Sequence, residues 1–307
     1  MANNRNPQFS ACSKLSLDAG EALIGTATPT QTYLLLEYNG AWEEKAFKQS
    51  AMPETVKNYL TQQTKTLPAA KLLLIKTRPS HQKAGVHFFI ASTSEQSPGL
   101  YAFHLEKYEA LLGIDIPAVL AGEPAYQPQR SDGSLLLVCT NGRRDVCCSR
   151  EGIPVFNLLH QVAGSSALQV WQSSHVGGHR FAANVLWLPY GLLYGRVNTE
   201  NALPILQACL NQQVYLPNLR GRNCFREAIQ AADYYLRQQT GETNLQAFLF
   251  QDIQETLPGQ WLIRFSEKNT GRTHPVIIRT EQSSSPVYES CQLDKSTFPV
   301  NYQALNP

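Results

Sequence analysis

The sequence predicts an α/β protein made of two similar units in tandem, each a strand–helix–strand followed by a strand pair and a closing helix, with a small α+β element after them. Three observations carry this. Continuous apolar runs (YLLLEY, KLLLIK, LLLVCT) recur between punctuated segments, the pattern of strands buried on both faces. Segments with apolar residues three and four apart alternate with these runs, as amphipathic helices do. The same order of elements then appears twice, on either side of a turn-rich stretch from Pro124 to Gly133.

In order along the chain, residues 1–30 are polar and punctuated by Gly, Thr and Pro, and read as an extended lead-in. Tyr33 to Tyr38 is the first strand, stopped by Asn39-Gly40. Pro53 starts a helix carrying Val56, Tyr59 and Leu60 on one side. Strands follow at Lys71 to Lys76, Val86 to Ser92 and Leu100 to Leu105, and a helix through Tyr108 to Leu112 is ended by Pro117. After the 124–133 stretch the second pass begins with a strand at Leu135 to Thr140. A helix follows with Val155, Leu158, Leu159 and Val162 on one face, then a strand at Ala167 to Gln172. Val185 to Leu188 and Leu192 to Val197 pair across Pro189-Tyr190-Gly191, and Ala202 to Leu210 is the closing helix. LLLEYNG in the first pass echoes LLLVCTNG in the second. This is the minimal thioredoxin-like order, so the expected architecture is a tandem of thioredoxin-like domains. Residues 1–125 form a degenerate copy without ligands, residues 131–216 the ligand-bearing copy, and residues 218–307 a small α+β domain. That last part has an amphipathic helix at Phe225 to Gln238 and strand-like runs WLIRF and PVIIR.

Length and composition bound the class. A chain of 307 residues suits two or three domains, and 26 Lys and Arg against 24 Asp and Glu give no electrostatic basis for binding nucleic acid or a membrane surface. No apolar run approaches the ~20 residues that cross a bilayer, and the first residues lack the apolar stretch of a signal peptide, so a cytoplasmic location is expected. Seven scattered cysteines, an odd number, fit reduced thiols or metal ligation better than a disulfide framework.

Chemistry concentrates between Leu135 and Val197. Cys139 ends a strand, eight residues separate it from Cys148, and Cys148 enters a helix; His175 and His179 follow the next strand with Gly177 and Gly178 between them. The glycines allow a tight fold that aims both rings at one point. Arg143, Arg144 and the helix N-terminus favour ionised thiols, the form a metal binds. Two thiolates and two imidazoles suit Zn²⁺ or a [2Fe–2S] cluster, and the eight-residue gap, wider than that of zinc fingers, favours the larger group. Cys12, Cys209, Cys224 and Cys291 read as small buried hydrophobes, and His81, His87, His104, His160 and His274 as surface or satisfied core groups. Cys147 and Cys148 could instead act as a thiol oxidoreductase pair, although adjacent cysteines pair only with strain.

CTNGRRDVCCSREGIPVF followed by WQSSHVGGHRFAANVLWLPYGLLYGRV closely resembles the sucrase/ferredoxin-like family, and CSKLSLDAGEALIGTA resembles its opening. Members include thioredoxin-like ferredoxins with a [2Fe–2S] cluster on two Cys and two His. The resemblance runs from about Cys12 to Val197 and implies that Cys139, Cys148, His175 and His179 are the ligands, with Cys147 the ambiguous neighbour. The sucrase half of the family name implies little, since glycoside hydrolysis needs two placed carboxylates and the motif holds only Asp145.

The resulting expectation is an electron-transfer or redox-sensing protein, more an electron carrier than an enzyme, which docks an unidentified redox partner protein. Two neutral imidazoles in place of two thiolates leave an oxidised site less negative and easier to reduce, as in Rieske centres. The free ring nitrogens can take a proton as the electron arrives. Trp171 and Trp187 are expected to limit water access, and Arg180 to be a donor near the ligands or a docking charge. The rival readings are a structural Zn²⁺ site in an interaction module and the thiol oxidoreductase. Oligomeric state, redox partner and the role of residues 218–307 are not encoded in any motif found.

Overall fold

The computed structural model describes residues 11–77, 85–164, 167–291 and 296–305. His81 lies outside them. The lead-in is not wholly extended: it carries α1 (Cys12–Asp18), which turns into the segment leading to the first strand. The first unit comprises β1 (Thr32–Glu37), α2 (Glu54–Thr66), β2 (Ala70–Lys76), β3 (Val86–Ser92) and β4 (Gly99–Leu105), then α3 (Ile116–Leu120) and a short β5 (Arg130–Ser131). Pro117 starts a helix here instead of ending one. It lies in the first turn of α3, where a missing N–H is no loss, and the side chain of Asp115 caps Ala118 N–H.

The second unit comprises β6 (Ser134–Cys139), α4 (Val146–Ala163), β7 (Leu168–Ser173), β8 (Val185–Leu188), β9 (Leu192–Tyr194) and α5 (Ala202–Leu210). β1 lies parallel to β2 and antiparallel to β3; β6 lies parallel to β7 and antiparallel to β8. Each unit therefore has the same sheet order, second strand, first, third, fourth. With β10 (Leu219–Arg222) the strands make one ten-stranded sheet in the order β10-β9-β8-β6-β7-β2-β1-β3-β4-β5.

The tandem of domains expected on either side of the 124–133 stretch is not two separate sheets, because the strands of both units share one. The 124–133 stretch is not free chain: Pro124 to Gln129 is a 3-10 turn, and β5 adds to the edge of β4 through Leu100 and Ser131. The units join along an antiparallel seam where Ile75 faces Ser173 and Lys76 faces Gln172. Just beyond it, Ser174 N–H donates to Leu74 O at 2.7 Å, and Leu74 N–H donates to Ser174 Oγ at 2.9 Å. So short a ladder is held by the core on one sheet face, which takes Leu35, Ile75 and Phe89 from one unit and Leu137, Trp171 and Leu186 from the other. At ~2 kcal/mol per buried side chain of this size, that shared core outweighs the few hydrogen bonds of the seam. The opposite face carries two separate cores, one under α2 and α3 and one under α4 and α5.

The last part packs α6 (Glu227–Thr240) on an antiparallel sheet of β11 (Phe248–Leu257), β12 (Gln260–Glu267), β13 (Thr273–Gln282) and β16 (Val300–Leu305), with β14 (Val287–Tyr288) and β15 (Ser296–Thr297) as a separate pair. Among the described residues no helix is long and apolar enough to cross a membrane.

Candidate metal centre

The site forms where β6 and β7 end, beside the seam. Cys139 is the last residue of β6, and its N–H donates to Asn184 O at 3.0 Å. The loop beyond is shaped by two side chains. Asn141 Oδ1 accepts from Arg143 N–H (3.2 Å) and Arg144 N–H (3.3 Å), and Asp145 caps α4 by accepting from Cys147 N–H at 2.9 Å. α4 thus begins at Val146, with both adjacent cysteines in its first turn. Gly152 lets the helix lie against the strand end, since a Cβ there would stand 2.1 Å from Cys139 O.

Neighbouring positions in a helical turn point in different directions, and the two cysteines separate accordingly. Cys148 turns to Cys139 and His175, whose Nδ1 stands 3.8 Å from Cys148 Sγ and 3.9 Å from Cys139 Sγ. These three donor atoms lie within 4.8 Å of one another. His179 is not part of that trio, but its ring lies 4.9 Å from that of His175, and its Nδ1 is buried with no hydrogen-bond partner. A hydrogen bond from Cys148 and the proximity of His175 hold the Cys139 thiol well below its ordinary range, while keeping that proton and burial push Cys148 up. Binding a cation at this pair requires both sulfurs to be deprotonated.

The histidine loop is clamped from two sides, by Arg220 and by Lys71. Gly177 and Gly178 have φ of +107° and +70°, and a Cβ on Gly178 would lie 2.6 Å from Arg220 Nη2. Arg220 is buried, and its Nη1 donates to Gly177 O (3.1 Å) and Asn184 Oδ1 (2.7 Å), its Nε to Thr26 Oγ1 (3.0 Å). Lys71 on β2 donates to Val176 O, and burial lowers its pKa to about 8. The first unit therefore contributes a wall and a clamp to a site whose expected ligands all come from the second.

Arg180 is neither a donor to the ligands nor a free docking charge; its Nε makes bonds of 2.8 and 3.0 Å to the buried carboxylate of Glu21, tying the lead-in to the loop. Trp171 packs on Phe89 and His87 in the shared core with Cys139 and Cys148, and Trp187 lies in the core under α4 and α5. His179, 12% exposed, edges a cleft of about 270 Å³ also lined by Glu44, Arg144, Arg180 and Glu289.

Cys147 faces away from the trio toward Cys12 and Cys291, with Sγ–Sγ distances of 3.6 and 3.3 Å. Those two cysteines are not mere small hydrophobes. Cys12 is buried, Cys291 half-buried, and both meet the fully buried carboxylate of Asp145, Cys12 through its thiol at 3.8 Å and Cys291 through its N–H at 2.9 Å. Asp145 also stands 3.8 Å from His179 Nε2. The cysteines are separated by 135 and 144 positions in the chain, so no local spacing could have revealed the group. Asp145 was within reach of sequence reasoning, because Asp before an apolar helical run is a capping signal.

The α/β sheet thus gathers thiols and imidazoles at the ends of two parallel strands in its middle, β6 and β7. The sucrase/ferredoxin-like family model matches residues 23–221, and the chain belongs to that family. A segment of 99 residues is 33% identical to altered inheritance of mitochondria protein 32 of the yeast Meyerozyma guilliermondii, covering 30% of this chain and 35% of that protein; the match thus spans about a third of the relative's length. Two structures of the thioredoxin-like [2Fe–2S] ferredoxin from Aquifex aeolicus, the first of a Cys-to-Ser variant, are similar over 25% and 26% of this chain and 86% and 82% of theirs. Identity is 18% in both cases, with TM-scores of 0.23 and 0.24.

Proposed function

We propose that the chain is a one-electron carrier or redox sensor holding a [2Fe–2S] cluster on Cys139, Cys148, His175 and His179, within two thioredoxin-like units fused edge to edge. The observation that carries this reading is the meeting of Cys139, Cys148 and His175 Nδ1, with the orphaned buried Nδ1 of His179 beside them. A buried polar nitrogen without a partner is costly unless something binds it. The donor set, two soft thiolates and two imidazoles, fits such a cluster, which when bound supplies reversible one-electron transfer.

The chain's own residues set the character of the site. Two thiolates in place of four leave fewer negative charges around the metal, which favours the reduced form. If each histidine binds through Nδ1, its Nε2 remains to hold a proton; that of His179 faces Asp145 and the cleft, through which a redox partner protein would approach. Arg220, Gly178 and Lys71 hold the loop that carries both rings. A single Zn²⁺ ion serving a structural role is the second reading, favoured by the close spacing of the trio. Redox titration separates them. The native protein should show a one-electron couple, and His179→Cys should lower its potential by adding negative charge; a protein silent between strong oxidant and strong reductant would leave only the zinc reading.

A further inference from the structure

We propose that Cys12, Cys147, Cys291 and Asp145 form a second, mononuclear zinc site, distinct from the Cys139–Cys148–His175 group and back to back with it across the first turn of α4. The four donor atoms lie within 4.8 Å of one another. The recorded separations are 3.6 Å for Cys12–Cys147, 3.3 Å for Cys147–Cys291 and 3.8 Å from Cys12 Sγ to Asp145 Oδ1. A tetrahedron with ~2.3 Å zinc–sulfur bonds has edges of about 3.8 Å, and the three recorded separations lie within about half an ångström of that. A soft Cu⁺ ion would gain little from the carboxylate.

Three further features favour a metal over a disulfide. First, a disulfide uses two sulfurs and leaves the third thiol and the carboxylate buried together, whereas a cation uses all four. Second, the surroundings are built for anionic sulfur: Cys12 N–H donates to Cys291 Sγ at 3.2 Å, and Ser13 Oγ donates to Cys147 Sγ at 3.3 Å. Third, Asp145 is fully buried, and its carboxylate is oriented by Cys147 N–H (2.9 Å), Cys291 N–H (2.9 Å) and Ser290 Oγ (3.0 Å). Those donors fix its direction but bring no cation, and its ion-pair partner His179 is itself a candidate ligand of the other site. Three thiolates and one carboxylate carry the same charge as the Cys₄ set of structural zinc sites.

The site ties together three distant parts of the chain: α1, the start of α4, and the segment after β14. Its role is structural. It fixes the first turn of α4, and with it Cys148, from the side opposite to the Cys139 group, and it gives the C-terminal part a function in the centre.

The test is metal analysis of the full chain purified without oxygen or added metal, with zinc K-edge absorption of the same sample and iron assayed separately. One zinc per chain in a shell of three sulfurs and one oxygen is expected, whatever the iron content. Cys12→Ser and Cys291→Ser should each lose the zinc. Cys139→Ser should keep it, which separates this site from the proposed cluster. A shell of two sulfurs and two nitrogens would move the zinc to the other group and overturn the proposal. So would a zinc-free native protein whose alkylation map gives three free thiols or a Cys147–Cys291 disulfide.

Discussion

Replacing Gly178 by Ala should be among the most damaging single-methyl changes available in this chain, and its cost can be divided into two parts. The backbone there has φ of +70°, where an L side chain costs ~1–2 kcal/mol. The new Cβ would also meet Arg220 Nη2, Nη1 and Cζ at 2.6, 2.8 and 2.9 Å, so the whole guanidinium must shift. That group is buried, and its bonds to Gly177 O and Asn184 Oδ1 are of the charge-assisted kind worth ~1.5–3 kcal/mol each. Losing one of them brings the total to about 3–5 kcal/mol. Gly241→Ala supplies the control: its φ is also +70°, but nothing lies within 4 Å of the added methyl, so it should cost only the backbone part. Equilibrium urea unfolding of both variants against the native protein reads the difference as a shift in midpoint at constant slope. Equal costs for the two glycines would refute the role given to Arg220 as the clamp of the histidine loop.

Other outcomes follow from the same geometry. Cys148→Ser should abolish bound iron and its visible absorption, whereas Cys147→Ser should leave both largely in place, because only Cys148 turns toward Cys139 and His175; the reverse pattern in an iron assay would exchange their roles. The potential should fall by ~59 mV per pH unit wherever reduction draws one proton to a free ring nitrogen, and voltammetry showing no pH dependence would remove proton coupling. Burial raises the pKa of Glu37, but hydrogen bonds from His87 and Asn39 outweigh it and hold the carboxyl below its ordinary range. A depressed folded value means stabilisation that is complete above the unfolded pKa of ~4.3 and lost as pH falls through the folded value. Glu37→Gln should therefore cost ~1–3 kcal/mol at neutral pH and flatten the acid side of the stability curve; an unchanged acid limb in urea melts from pH 7 to 3 would contradict this.

What could be read in the sequence was local. β1 and β6 are buried on both faces, as are Leu73 to Ile75 of β2, and announce themselves as unbroken apolar runs, and the paired histidines with two intervening glycines are legible because the loop's geometry is written in adjacent residues. The start of α4 was legible at Cys148, although Gly152 and Pro154 look like breakers. Gly152 is there for close approach to Cys139 O, and Pro154 is accommodated within the helix. β11 escaped because it is an edge strand with mostly exposed residues and no apolar alternation. The seam between β2 and β7 and the gathering of Cys12, Cys147 and Cys291 are products of tertiary packing between distant segments. Neither leaves a spacing signal. The repeated order of elements was visible, but nothing in a list of elements tells whether two sheets stay apart or share an edge.

Cluster binding on Cys139, Cys148, His175 and His179 is tested by assaying iron and acid-labile sulfide in protein purified without oxygen, together with the electron paramagnetic resonance of the dithionite-reduced sample. Two irons and two sulfides per chain and a paramagnetic signal coupled to histidine nitrogen are expected, all lost on His175→Ala. Protein free of iron and sulfide as isolated, and still free of them after anaerobic reconstitution with ferrous iron and sulfide, would contradict it.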